Sequence, residues 1–285
     1  MKNTLLLSLG VLLSAGSLLS SCSSDDGASD DSPVGRSTWT LTVKATKGGN
    51  EGTTRALSLG GTGGKTLYAT WARIESVHVY AKDATDNYLG VLHPDADAAT
   101  AILIGSLEEK ADNYYEGLAN SKLDLQFPQA GSIYYTDQKG TLENISSNYD
   151  WATTTVEIEK VDLKTKSIIP HDLTAKFENL QAIVKFTLRW DDGNGSLLSI
   201  NPTALTVSYG ESDIATLTDI PSETYTTNGD GVLYVAIPGF ENEEVTLTAT
   251  VDNDTYTYTK PNAKFENGKY YDITVKMTLQ PKENQ

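Results

Sequence analysis

The chain has 285 residues, a formal net charge of −16 at pH 7 and one cysteine. So acidic a balance argues against nucleic acid as a partner and against adsorption on anionic lipid, and one cysteine leaves no internal disulfide. Fifteen tyrosines and long runs of Thr and Val point to strands rather than helices. The N-terminus opens with a short positive head, Met1-Lys2-Asn3. An apolar stretch from Leu5 to Leu19 follows, broken only by Ser and Gly. At roughly 15 residues it is too short for a permanent membrane helix and has the length of a signal-peptide core. Leu19-Ser20-Ser21-Cys22 then sets small residues directly before the cysteine.

Those four residues resemble the lipobox of bacterial lipoproteins. The resemblance implies that residues 1–21 are a cleaved signal peptide, that Cys22 takes up diacylglycerol, and that the lipid is the only membrane anchor. An ordinary thiol is the alternative for Cys22. Among charged residues only Lys2 would be lost with the leader, so the mature charge is −17. Residues 22–37 read as an acidic flexible tether, with Asp25-Asp26 and Asp30-Asp31 among small residues. They also resemble the acidic signal that hands Bacteroidota lipoproteins to the export machinery for the cell surface.

Beyond the tether, period-2 alternation predicts strands. Thr38 to Ala45 sets Trp39, Leu41, Val43 and Ala45 on one face and Thr38, Thr40, Thr42 and Lys44 on the other. The next, Arg73 to Tyr80, is a mainly β-branched and aromatic run. Leu103 to Leu118 has enough helical periodicity to predict a short helix. Val245 to Val251 alternates apolar residues with threonines. In the last predicted strand Tyr271, Ile273, Val275, Met277 and Leu279 share a face. Asp191-Asp192-Gly193-Asn194-Gly195, Asn228-Gly229-Asp230-Gly231 and Glu266-Asn267-Gly268 are turn signals. The expected fold is all-β: two tandem β-sandwich domains, 38–166 and 167–285, divided near Lys164–His171, where a polar stretch and Pro170 precede a fresh series of strands.

The chain is poor in catalytic signals. His78, His93 and His171 have no second histidine or cysteine at metal-ligand spacing, and no nucleophile elbow, phosphate loop or dinucleotide fingerprint appears. Asp191-Asp192-Gly193-Asn194-Gly195 has a faint likeness to a calcium loop, but its twelfth position is Pro202. We therefore expect no catalytic residue, no metal and no cofactor. An enzyme would need carboxylates, such as Glu108-Glu109 or Asp95 and Asp97, to meet from distant loops.

Three stretches resemble the fimbrillin family, the subunits of protease-assembled pili and related lipoproteins of Bacteroidales. They are Thr38–Tyr80, with Thr54-Arg55-Ala56-Leu57 in its Gly-rich loop; Ala175-Lys176-Phe177 through Ile183-Val184-Lys185-Phe186; and Phe265-Glu266-Asn267-Gly268-Lys269-Tyr270-Tyr271-Asp272-Ile273. Leu89 to Trp151 carries no part of the likeness. The resemblance implies transthyretin-like sandwiches and cleavage by an arginine-specific protease after Arg55, leaving Ala56 as the new N-terminus. Arg36 is a second arginine within reach.

In that scheme the strand bearing Trp39, Leu41 and Val43 is removed. A strand from another fimbrial subunit replaces it, with Tyr271, Ile273, Val275, Met277 and Leu279 as this chain's candidate donor face. Burying Trp39, Leu41 and Val43 contributes on the order of 5–8 kcal/mol, comparable with the net stability of a domain. The same Tyr271–Leu279 run also reads as an ordinary closing strand. The expected role is thus a fimbrial subunit supporting adhesion, lipid-anchored in the outer membrane as a precursor and located in the fimbrium when mature. The alternative is a monomeric surface lipoprotein that binds glycan or a host ligand.

Overall fold

The computed structural model describes residues 38–47, 58–60, 66–82, 87–111, 113–128, 133–172 and 174–281. The leader and tether, Cys22, Arg36, Arg55 and Ala56 lie outside the described residues.

The first sheet is a closed ring rather than a sandwich. It contains β1 (Trp39–Thr46), β4 (Val77–Ala81), β5 (Tyr88–Pro94), β6 (Thr100–Leu107), β7 (Lys122–Phe127), β8 (Ala152–Asp162) and β9 (Ser167–Pro170). A small separate ribbon, β2 (Ser58–Gly60) with β3 (Thr66–Tyr68), falls between β1 and β4 in the chain. Strand order in the ring is β1, β6, β5, β4, β7, β8, with β9 pairing both β8 and β1 to close a seven-strand barrel. Two short strands, β10 (Thr174–Lys176) and β11 (Glu178–Asn179), add to β1 and β8.

Inward-facing residues alternate along β4 and β7, as a barrel requires. Val77, Val79 and Ala81 of β4 are buried, and so are Leu123, Leu125 and Phe127 of β7. Where β5 and β6 press together only a glycine fits: a Cβ on Gly105 would lie 2.0 Å from the Val91 carbonyl oxygen.

The second sheet is built around β12 (Ala182–Asp191). One edge of β12 pairs with β13 (Leu197–Ser199) and β16 (Val232–Ile237), and the other runs parallel to β19 (Tyr270–Leu279) from Ile183 to Trp190. From β19 the sheet continues through β18 (Asp254–Phe265) and β17 (Phe240–Val251) to β14 (Ala204–Tyr209) and β15 (Ser212–Leu217). Its core includes Val184, Phe186, Leu188, Leu205, Val207 and Leu247. Two short helices flank it, α1 (Leu142–Asn148) and α2 (Ser222–Asn228). The first is capped by Thr141, whose hydroxyl accepts from the Asn144 N–H at 3.1 Å.

Several sequence expectations are corrected. The divide at 166/167 is not where the cores part: β9, β10 and β11 still belong to the first sheet, while Tyr135, Ile145 and Tyr149 pack into the second core. The first full strand of the second sheet begins at Ala182, although Gln138 already bridges to Leu217 of β15. Nor does Leu103–Leu118 form the expected helix. β6 takes its first residues, because Ala101 and Leu103 fill the barrel while Ile102 and Ile104 face out, and one 3₁₀ turn spans Glu116–Leu118. The Asp191–Gly195 run, by contrast, forms the turn its sequence predicts: Asp191 and Asp192 side chains accept the N–H groups of Gly193 and Asn194 at 2.9 and 2.8 Å.

Candidate functional site: the first strand and the cage at its end

The sequence of β1 dictates its placement. Leu41, Val43 and Ala45 point into the barrel and are buried; Thr42 and Lys44 face out. Trp39 is half-buried and stacks on Tyr115 with ring centroids 4.7 Å apart. One edge of β1 pairs with β6 along its whole length, from Trp39↔Leu107 to Thr46↔Thr100. The other edge meets β9 at Thr40 and Leu41, then β10 from Lys44 to Thr46. Side chains and caps add to this: the Trp71 indole N–H donates to the Ala45 carbonyl at 3.2 Å, and the Phe177 N–H to the Thr46 carbonyl at 3.0 Å.

Just past β1, Lys47 continues the inward parity of Leu41, Val43 and Ala45, and its side chain is only 2% exposed. The ammonium is 2.7 Å from Glu75 Oε1 and 3.0 Å from Asp150 Oδ2, on carboxylates 17% and 3% exposed. It also stands 4.1 Å from the centre of the Phe127 ring and 5.2 Å from that of Trp71. Each wall is braced. Glu75 Oε2 accepts the Ala72 N–H at 2.9 Å, and Asp150 Oδ1 accepts from Gln181 Nε2 at 3.3 Å. Trp71 is held edge-to-face by Phe127 and Phe177.

Burial works against the Lys47 charge, but Asp150 and Glu75 outweigh it and raise the ammonium above its ordinary 10.5. Burial also pushes Glu75 up, against the pull of Lys47. With one oxygen on Lys47 and the other on a backbone N–H, the ionised pair is the state the geometry favours.

The candidate donor face lies elsewhere. In β19, Val275 and Met277 are buried, Tyr271 and Ile273 half-buried, and Leu279 exposed. The strand is paired with β12 over eight residues, Tyr270 to Met277, but meets β18 only at Thr278 and Leu279 among the described residues. A slot of about 260 Å³ opens where β18 and β19 splay, with Phe186, Leu247 and Val275 among its floor residues. Thus β1 and β19 belong to different cores, and the fold does not bring the two faces together.

The histidines form no site. His78 faces out of β4 beside Tyr88, His93 Nδ1 contacts the Glu75 carbonyl oxygen at 2.9 Å, and His171 lies near Asp172. Burial and then the nearby His93 lower the His78 pKa. Among the described residues no three His, Cys, Asp or Glu side chains gather as a metal site, and no helix is long and apolar enough to cross a membrane. Lys47, Glu75 and Asp150 are the cluster that sequence reasoning missed. The one available signal was the parity of Lys47, a charged residue continuing a core face.

No family model matches the chain, and no curated protein does. Solved structures do. One is a candidate cell adhesion protein from Bacteroides ovatus, 12% identical, covering 87% of this chain and 97% of that one with a TM-score of 0.47. Another is a fimbrial assembly protein from Parabacteroides distasonis, 13% identical, covering 86% and 99% with a TM-score of 0.40. A third is the C-terminally truncated tip fimbrial protein of Porphyromonas gingivalis, 9% identical, covering 85% and 97% with a TM-score of 0.38. Several of the solved structures similar to this chain are fimbrial or cell adhesion proteins of Bacteroidales, and another is a Bacillus anthracis protein.

Proposed function

We propose that this chain is a structural subunit of a cell-surface fimbrium, carried outward on a Cys22 lipid, matured by an arginine-specific protease after Arg55, and assembled with other subunits by strand exchange in support of adhesion. The observation that carries the reading is the character of β1. It is a single strand with a buried apolar face, hydrogen-bonded along both edges, and in sequence it is followed by the Gly-rich stretch that contains Arg55. Removing such a strand exposes the edges of β6 and of β9 and β10, together with an apolar trough. Another strand of the same alternation fills that trough by β-augmentation. Cleavage also separates the subunit from its lipid, so the anchor serves transport.

A second reading, a subunit or monomeric surface binder that keeps β1 and its lipid, is favoured by β19. That strand lies against β12 over eight residues as an integral part of the second core, with Val275 and Met277 buried, so donating it would open that core. A lock on β1 separates the readings. Thr42 and Ile104 face each other across β1 and β6 and both point outward. Cells carrying Thr42→Cys with Ile104→Cys should make no fimbriae once the pair is oxidised, while either single variant assembles. Fimbriae of normal length from the oxidised double variant would refute strand removal.

A further inference from the structure

The cage around Lys47 has a use that outlasts Lys47 itself. Resting on the strand-exchange reading, we infer that Glu75, Asp150, Trp71 and Phe127 form a recognition pocket for a lysine side chain, and that this pocket selects the incoming strand. The partner is a strand of another subunit that carries three inward apolar residues and then, next in the alternation, a lysine.

All four walls follow Arg55 in the chain, so a cut there removes the ligand and leaves the pocket. Their supports also remain: the Ala72 N–H on Glu75, Gln181 on Asp150, and Phe177 against Trp71. The emptied pocket holds two carboxylates in a largely buried place with no cation between them. Buried charges in that condition are strongly unfavourable until paired. An apolar residue entering there leaves both carboxylates unmet. A lysine restores the ion pairs, and its ammonium fits against the two ring faces. The compact ammonium, with three donors, suits two carboxylates at 2.7 and 3.0 Å better than the planar fork of arginine.

The pocket also sets a direction for this chain's own candidate donor. Read forward, the parity Tyr271, Ile273, Val275, Met277, Leu279 ends on Pro281; read backward it ends on Lys269. A copy of that strand satisfies the cage only if it enters antiparallel to the departed β1.

The test uses the full folded chain with a sequence-specific protease site inserted between Gly52 and Thr53. After cutting, one measures the release rate of the labelled N-terminal fragment while excess unlabelled peptide copying residues 38–47 competes. The Lys47→Met fragment should leave roughly 100- to 1,000-fold faster than wild type. Lys47→Arg should fall between. Adding Glu75→Gln and Asp150→Asn should return the Met fragment to slow release. Equal rates for the Lys and Met fragments would overturn the pocket.

If peptide displaces neither fragment, strand exchange itself fails. The urea concentration that frees each fragment then decides the pocket separately: lower for Met supports it, equal overturns it. If uncut Lys47→Met does not fold, the triple variant decides. Recovery of folding supports the cage, and continued failure overturns it.

Discussion

Truncating Leu41 to alanine tests how much the first strand contributes to the barrel. Leu41 is 1% exposed, lies at the middle of the β1 core face and pairs across the strand with Gly105. Opposite a glycine that is itself pressed against the Val91 carbonyl, the neighbourhood has little freedom to collapse into the space left. The loss therefore combines the transfer of three carbons with a cavity contribution, about 3–4 kcal/mol. For a chain of this size about 1 kcal/mol moves Tm by 2–4 °C, so the expected drop is roughly 6–16 °C. Thr42→Ala, one residue along and facing solvent, should stay within about 0.5 kcal/mol of wild type. Thermal unfolding followed by circular dichroism compares the three proteins directly. Coincident melts for Leu41→Ala and Thr42→Ala would show that β1 is not the load this reasoning assigns to it.

Other sites give independent checks. Gln138 is fully buried; its Nε2 donates to the Tyr135 and Ala236 carbonyls and its Oε1 accepts the Ala236 N–H, so Gln138→Leu should lower stability by about 2–4 kcal/mol in a urea titration. Gly105→Ala places a Cβ 2.0 Å from a backbone oxygen and should abolish the cooperative melt of the native fold. Burial pushes the Tyr135 hydroxyl up to about 12 from 10.0. The folded state thus holds that proton where the unfolded state has lost it, and stability falls as pH climbs from 10 toward 12. Tyr135→Phe should show a shallower alkaline decline, measured as the denaturation midpoint against pH.

The alternation of β1 was legible because its period of two is unbroken from Trp39 to Ala45, and the barrel buries the face that the pattern marks. Lys47 shares that parity, yet nothing local predicts a buried ammonium. Its justification comes from Glu75 and Asp150, which are distant in sequence and meet it only after folding. Closure of the first sheet was hidden for a related reason, since β9 reaches β1 through two residue pairs that leave no mark on composition. Leu103–Leu118 misled because short apolar runs suit both periods; pairing with β1 decides it for strand. The face of β19 was read correctly at Val275 and Met277, but Leu279 ends up exposed where the strand passes β18.

Strand removal after Arg55 is the centre of the account, and the N-terminus of the mature protein tests it most directly. Intact mass and N-terminal sequencing of the protein recovered from the surface of its native cells should give a chain that starts at Ala56 and lacks Trp39 and Lys47. A lipidated chain starting at Cys22, with β1 still in place, would contradict the proposal and leave an anchor subunit or a monomeric surface binder.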